Sequence, residues 1–266
     1  AFPQSDYIIC ESTYGNRLHA VQTDVESKLL EVVNETCVKN QGKIIIPAFS
    51  IDRTQEIIYA LDQLAHDGKL PSIDVFVDSP LSVKATRIMS KHREYFNKDI
   101  LEYISRDGNP FDFPNLHYVE SSEESKKINS LKKPCIIISS SGMAEAGRVK
   151  HHIKNNIENP NNTILLVGYA SESSLAGHLK AGDEEVRIFG EFFKVKAKIE
   201  SMENFSAHAD YNEMLTYLKC QDGAKTKKMF LVHGEIETQK EWADKLINAG
   251  FLNIVIPEKG EIFNID

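Results

Sequence analysis

Three short stretches carry residue types that can do chemistry, each at the end of an apolar run. In Asn204-Phe205-Ser206-Ala207-His208-Ala209-Asp210 a histidine stands between alanines, with a carboxylate two places on. Neighbours that small leave an imidazole free to reach into a cleft. In Met229-Phe230-Leu231-Val232-His233-Gly234-Glu235 a strand-like run ends on His233, and a helical pattern begins after Gly234. In Tyr7-Ile8-Ile9-Cys10-Glu11-Ser12-Thr13-Tyr14-Gly15 another apolar run ends on Glu11. Imidazoles and a carboxylate are the groups of proton transfer and metal ligation. Any one of them alone reads more readily as a polar residue punctuating a strand end. Three together favour a site, because ligands of α/β proteins gather at the carboxyl ends of strands.

The elements that must position them alternate between strand and helix. Val21–Val38 carries a helical stripe of Val21, Val25, Leu29, Val32, Val33 and Cys37. Lys43–Phe49 and Pro134–Ser139 are apolar runs of strand length, and Ile73–Val77, His117–Glu120 and Thr163–Gly168 also read as strands. Helical patterns fall at Arg53–His66, Ser82–His92, Ser122–Leu131, Ala144–Ile157 and Ser174–Leu179, with Tyr95–Pro114 read as irregular. Apolar strands separated by helices predict an α/β fold with a mainly parallel, doubly wound sheet covered on both faces. Val186–Ser201 predicts a hairpin around Gly190-Glu191. A helix (Tyr211–Leu218), a strand (Met229–Val232), a helix (Glu237–Ala249) and two last strands (Asn253–Ile256, Glu261–Ile265) complete the expected order.

The composition break near residue 195 predicts two units, Arg17–Phe193 and Lys194–Asp266. The last is too small to close its own core comfortably. The strand through Glu11, in residues 1–16, is expected to join it, which makes the middle an insertion.

Length and composition are those of one large or two ordinary globular domains: 266 residues, 41% hydrophobic, 26% charged. No apolar run approaches a membrane span and no signal peptide is visible, so no membrane partner is expected. Cys10, Cys37, Cys135 and Cys220 form no CxxC pair, which argues against a disulfide framework or a cysteine zinc knuckle and fits a reducing cytoplasm. The formal net charge of -8 argues against a general nucleic-acid coat protein but leaves room for a local basic channel. No GxGxxG after a strand, no GxxxxGK[ST] loop and no GxSxG elbow occurs.

Further candidates lie in the middle. Ser139, Ser140, Ser141 and Gly142 follow an apolar strand and precede a helix, where free N–H groups and hydroxyls either cradle a phosphate or simply cap. Arg53, at another strand-to-helix corner, is either structural or phosphate-directed. Arg148, Lys150, His151, His152 and Lys154 make a charged helix, read first as a solvated face. Lys194, Lys196 and Lys198 alternate with apolar residues and form a one-sided stripe, again more naturally solvated than phosphate-facing. His19, His66, His92 and His117 stand alone in the sequence and receive no role; His178 has no visible partner.

Glu11-Ser12-Thr13-Tyr14-Gly15, Phe205-Ser206-Ala207-His208-Ala209-Asp210 and Val232-His233-Gly234-Glu235 resemble, in order and spacing, motifs A, B and C of the β-CASP branch of the metallo-β-lactamase superfamily. Ile46-Pro47-Ala48-Phe49, Arg53-Thr54-Gln55-Glu56, Asp78-Ser79-Pro80-Leu81 and Ser140-Ser141-Gly142-Met143 resemble segments of its inserted domain, so the likeness spans essentially the whole chain. It is similar to RNA-processing exonucleases of prokaryotes and to the endonuclease subunit of the cleavage and polyadenylation specificity factor. The resemblance implies a β-CASP domain at 17–193 between the last amino-terminal strand (1–16) and the carboxyl-terminal part (194–266) of a metallo-β-lactamase domain. It implies a zinc-dependent RNA phosphodiesterase, with two zinc ions in the complete protein and single-stranded RNA as partner. His233 would be a zinc ligand, His208 a proton donor to the leaving oxygen, and Glu11 the carboxylate that holds and polarises His208; Ser206 and Asp210 complete motif B.

The sequence also departs from that pattern. Nothing resembling the HxHxDH metal motif precedes Glu11. The expectation is therefore a fragment, inactive by itself, whose partner is the missing amino-terminal half of its catalytic domain; a homodimer is left open. Glu172-Ser173-Ser174-Leu175-Ala176-Gly177 stands where Glu-Gly-Thr-Leu-Gly is usual, and Asp52 where Gly is common. Both departures bear on local cleft geometry and not on class. A non-catalytic scaffold subunit of an RNA-processing complex and a small-molecule metallo-hydrolase are the competing readings. Whether cleavage is internal or from an end is open.

Overall fold

The computed structural model describes residues 1–19, 25–202 and 205–265. Val21, where a helix was expected to begin, and Asn204 lie outside the described residues. In chain order the strands and α-helices are β1 (Tyr7–Glu11), α1 (Val25–Val33), β2 (Lys43–Pro47), α2 (Arg53–His66), β3 (Asp74–Val77), α3 (Pro80–Met89), α4 (Lys98–Asp107), β4 (Leu116–Tyr118), α5 (Ser122–Ser130), β5 (Cys135–Ser139), α6 (Arg148–Asn156), β6 (Thr163–Val167), α7 (Leu175–Ala181), β7 (Glu185–Ile188), β8 (Glu191–Lys194), β9 (Lys198–Met202), α8 (Tyr211–Leu218), β10 (Lys228–Val232), α9 (Ile236–Asn248) and β11 (Ile254–Val255). They divide into two compact units, Gln22–Phe205 and Ala1–Val21 with Ser206–Asp266.

The middle unit is built on a six-stranded sheet in the order β4-β3-β5-β2-β6-β9, with every pairing parallel. Its central strands β2, β5 and β6 are buried at every position, which is why they read as unbroken apolar runs rather than alternations. Alternate residues serve opposite faces. Ile44, Ile46, Ile136 and Ile138 pack with Leu29, Val32, Ile57, Ile58 and Leu61 of α1 and α2. Ile45, Ile164 and Leu166 pack with Val149 and Ile153 of α6 and Leu175 and Leu179 of α7. Each such side chain removed from water contributes about 1.5–3 kcal/mol.

Several expected bounds shift. The irregular stretch 95–114 contains α4, because Asn97 accepts from the Ile100 N–H and starts a helix that Gly108 ends at φ +107°. The helix expected from Ala144 starts at Arg148. The hairpin turns at Phe189-Gly190, both with positive φ, as a two-residue loop needs. Its second strand stops at Lys194 rather than running on to Ser201. The Lys196 and Ala197 N–H groups both turn to the Ile157 carbonyl. The chain then re-enters the large sheet as β9 beside β6, so 198–202 lies in the middle unit. The lysine stripe is exposed, with Lys198 paired to Glu35 and Glu200. The last expected strand, 261–265, is not one.

The second unit holds a parallel sheet in the order β1-β10-β11. Strands from opposite ends of the chain are thus neighbours, with Glu11 opposite Val232. Ile8, Met229 and Leu231 face Met214 and Leu218 of α8 and Trp242 and Leu246 of α9. Among the described residues, no helix is long and apolar enough to cross a membrane.

Candidate active site

Strands β1 and β10 end side by side, and their register delivers Glu11 and His233 to the same edge of the sheet. Ser12 locks this end: its N–H donates to the His233 carbonyl at 3.4 Å and its hydroxyl to the Val232 carbonyl at 3.0 Å. His233 leaves the strand at φ +56°, an uncommon conformation for a residue with a Cβ, which redirects the chain as the strand gives way to α9. Gly234 is required by contact: a Cβ there would meet the Ser12 carbonyl oxygen at 2.8 Å. Gly15 is required likewise, since its Cβ would fall 2.5 Å from Trp242 Cβ.

His208 reaches this edge from the loop between Phe205 and α8. Its Nδ1 lies 2.6 Å from Glu11 Oε2, and its ring centroid lies 4.9 Å from that of His233. Glu11 and His208 are half-buried and His233 is exposed, so the group faces solvent on one side. One donor atom from each of Glu11, His208 and His233 lies within 4.8 Å of the others.

Thr13 connects the trio. Its Oγ1 is 2.7 Å from Glu11 Oε2 and 3.0 Å from His233 Nδ1. A threonine hydroxyl carries one proton, and an ionised carboxylate only accepts. With that proton given to Glu11, Thr13 accepts from His233 Nδ1–H, and the other ring nitrogen of His233, Nε2, keeps its lone pair. An imidazole whose Nδ1–H is held by a protein acceptor while Nε2 stays bare is what a metal ion takes. The residues present therefore suit a metal in donor type, His233 above all. On His208 the same division holds: Nδ1 is engaged by the carboxylate, and Nε2 remains for another partner. Thr13 is silent in the sequence, because a hydroxyl two places after a carboxylate carries no signal until the strand end brings both to a histidine.

Asp210 and Ser206 support the loop. Asp210 caps α8, its Oδ1 accepting from the Asn212 and Glu213 N–H groups at 2.9 Å, while Glu213 returns a bond to the Asp210 N–H. Its Oδ2 accepts from the His19 N–H at 3.0 Å. Burial pushes its carboxyl up, but the N–H donors of Glu213, His19 and Asn212 outweigh this and hold it below the usual carboxylate range. Ser206 Oγ accepts from the His208 N–H at 3.3 Å. His19, left without a role by its isolation in sequence, places Nε2 2.8 Å from the His208 carbonyl oxygen.

The candidates of the middle unit have local partners. Ser139 is buried and donates to the Asp78 carbonyl at 2.7 Å. Ser140 donates to Ser79 Oγ at 2.9 Å, Ser141 faces the Ala146 carbonyl at 3.4 Å, and a Cβ on Gly142 would meet the Phe49 ring at 2.9 Å. Arg53 is 6% exposed, pairs with Glu56 and lies over the Phe205 ring. Asp52 takes φ +71°, a backbone state that explains a glycine preference at that corner. The charged helix α6 is not simply a solvated face: Arg148 and His152 bond Asp78, at 2.7 and 2.6 Å. His178 pairs with Asp183 and His117 with Asp74.

Comparison with known proteins adds two family models: a Beta-Casp domain over residues 54–179, and a Zn-dependent metallo-hydrolase RNA specificity domain over residues 193–257. The chain is 32% identical over 235 residues to Ribonuclease TTHA0252 of Thermus thermophilus, covering 88% of this chain and 53% of that protein. It is 32% identical over 262 residues to an RNase J-like protein of Methanocaldococcus jannaschii, covering 98% of this chain and 59% of the relative. Transcription termination factor FttA of Methanosarcina mazei is 31% identical over 242 residues, 88% of this chain and 38% of that protein. The chain thus spans little more than half the length of the first two of these relatives, and less of the third.

Proposed function

We propose, from the premise that this chain belongs to the β-CASP branch of the metallo-β-lactamase superfamily, that Glu11, His208 and His233 form part of the active centre of a zinc-dependent ribonuclease acting on single-stranded RNA. The observation that carries this reading is the 2.6 Å contact between Glu11 Oε2 and His208 Nδ1, beside the ring of His233. The names of the relatives, ribonuclease and RNase J-like protein, and the RNA specificity domain support RNA as the substrate class.

Each residue has a distinct task. His233 would hold zinc through Nε2, with Thr13 fixing its ring. Bound zinc supplies Lewis acidity toward a phosphate oxygen and eases deprotonation of water. Two such ions need more donors than one carboxylate and two imidazoles, so the two-zinc centre and the cleavage are proposed for the whole protein. When an RNA phosphodiester is hydrolysed, the departing ribose oxygen needs a proton as its bond to phosphorus breaks. His208 delivers that proton from Nε2. Glu11, bonded at Nδ1, fixes the ring's orientation and stabilises the imidazolium before transfer. The domains follow the same reading: β-CASP between two parts of a metallo-β-lactamase domain.

The test is cleavage of an RNA oligonucleotide by the whole protein, with no turnover of thioesters or β-lactams. His208→Ala is expected to lower the cleavage rate by about 10²–10⁴-fold with zinc content unchanged. An unchanged rate removes His208 from the chemistry, and loss of zinc would make it a ligand instead.

A further inference from the structure

We propose that His19 is a positioning residue for His208, its Nε2–H gripping the His208 carbonyl so that the His208 ring is held against Glu11. The inference rests on the role given to His208 above, but its geometry stands apart from that role. His208 sits in neither helix nor strand, so no ladder of backbone bonds aims its side chain. Its main chain is held at the N–H by Ser206 Oγ, 3.3 Å away, and at the carbonyl by His19 Nε2, 2.8 Å away. A carbonyl oxygen only accepts, so this bond requires His19 to carry its proton on Nε2.

His19 is itself fixed from several sides. Its backbone N–H donates to Asp210 Oδ2 at 3.0 Å. Its ring stands edge-on to Tyr14, with centroids 5.1 Å apart, and Tyr14 forms a bridge with Asp210. Glu213 Oε2 lies 3.7 Å from the same Nε2 and favours a proton there. Asp210 therefore does two jobs: one oxygen caps α8, and the other seats the residue that holds His208. The segment that starts at Glu11 closes on the His208 loop twice, once through the Glu11 carboxylate on the ring and once through His19 on the backbone. With the Ser206 bond at the N–H, these two anchors hold His208 at ring, N–H and carbonyl, and loss of the carbonyl anchor frees that end of the residue. Glu213 and Asp210 also lie near His19 as a carboxylate cluster, but Nε2 and both Asp210 oxygens are already engaged by protein groups, so the cluster serves position rather than metal binding.

The experiment uses the 266-residue chain labelled with 15N-histidine, with the His19 and His208 ring signals assigned from single substitutions. In the unsubstituted chain His19 must show a protonated Nε2; a bare Nε2 overturns the proposal. His19→Ala should shift the His208 ring-nitrogen signals toward those of a histidine with no fixed tautomer, while His19→Gln, whose amide can donate to the same carbonyl, should keep them near the starting values. Unmoved His208 signals in a folded His19→Ala chain would sink the idea. So would equal displacement in His19→Gln. In the whole protein, His19→Ala should lower kcat about 10- to 100-fold with KM little changed, and His19→Gln should recover most of it. If no variant or parent protein cleaves RNA while the ring signals behave as stated, the ribonuclease reading fails and the positioning role stands.

Discussion

At the residue scale the trio is tied together by shared hydrogen-bond partners: Glu11 Oε2 meets both His208 and Thr13. Thr13 shows this most directly, since one hydroxyl spans Glu11 and His233. Replacing it by valine keeps the shape and removes the acceptor for His233 Nδ1–H. Thr13→Val is expected to weaken zinc binding by about 10- to 100-fold, as loss of an orienting partner does at imidazole sites. Competition of zinc between the whole protein and a chromophoric chelator measures it, and equal affinity would show that the His233 ring is held without Thr13. Zinc per chain after dialysis of the 266-residue protein is the companion measurement, since it tells how much metal these donors retain.

Elements position the trio through close approach. The turn after β1 passes so near α9 that Gly15 has no room for a methyl group beside Trp242. Gly15→Ala is expected to destabilise the unit by about 1–3 kcal/mol through overpacking. Urea unfolding followed by Trp242 fluorescence reads this directly, because the chain has a single tryptophan and it is fully buried. A variant as stable as the parent would mean that α9 yields without cost. In the middle unit the corresponding anchor is Asp78, at the end of β3. It accepts from Arg148 and His152 of α6 and from Ser125 of α5 while fully buried. Asp78→Asn leaves the guanidinium without its counter-charge and is expected to cost about 3–5 kcal/mol. The midpoint of urea unfolding by circular dichroism tests that figure.

For the whole molecule, acid acts on the middle unit through the buried carboxylate of Asp78. Burial pushes the Asp78 carboxyl up, but the bonds from His152, Ser125 and Arg148 prevail and hold it below the usual carboxylate range. Its folded value lies below its unfolded one, so its contribution is complete above the ordinary aspartate range. It is lost as pH falls through the folded value, because there the unfolded chain binds the proton first. Acid should therefore lower the unfolding midpoint of the middle unit, read by circular dichroism. The effect should be smaller in Asp78→Asn, and equal acid sensitivity in the two would assign it to other carboxylates.

Periodicity in the sequence determined a good deal. Unbroken apolar runs such as Lys43–Pro47 and Cys135–Ser139 announce a parallel sheet buried on both faces, because such strands have no solvent side to mark with polar residues. The ends of the runs through Cys10 and Val232 likewise marked Glu11 and His233, and alanine neighbours marked His208. Bounds were less legible where one capping bond decides: Asn97 starts α4 in a stretch that reads as loop, and two bonds to the Ile157 carbonyl divide β8 from β9. The partners were not legible at all. Glu11 and His208 are 197 positions apart, and His19 and His208 are 189 apart, yet they touch within 2.6 and 2.8 Å. Local sequence sets which side chain leaves a strand end. Which distant groups meet it is settled only by the register of β1 on β10 and by the path of the loop before α8. For that reason Thr13 and His19 look ordinary in the sequence and acquire their roles only in the tertiary structure.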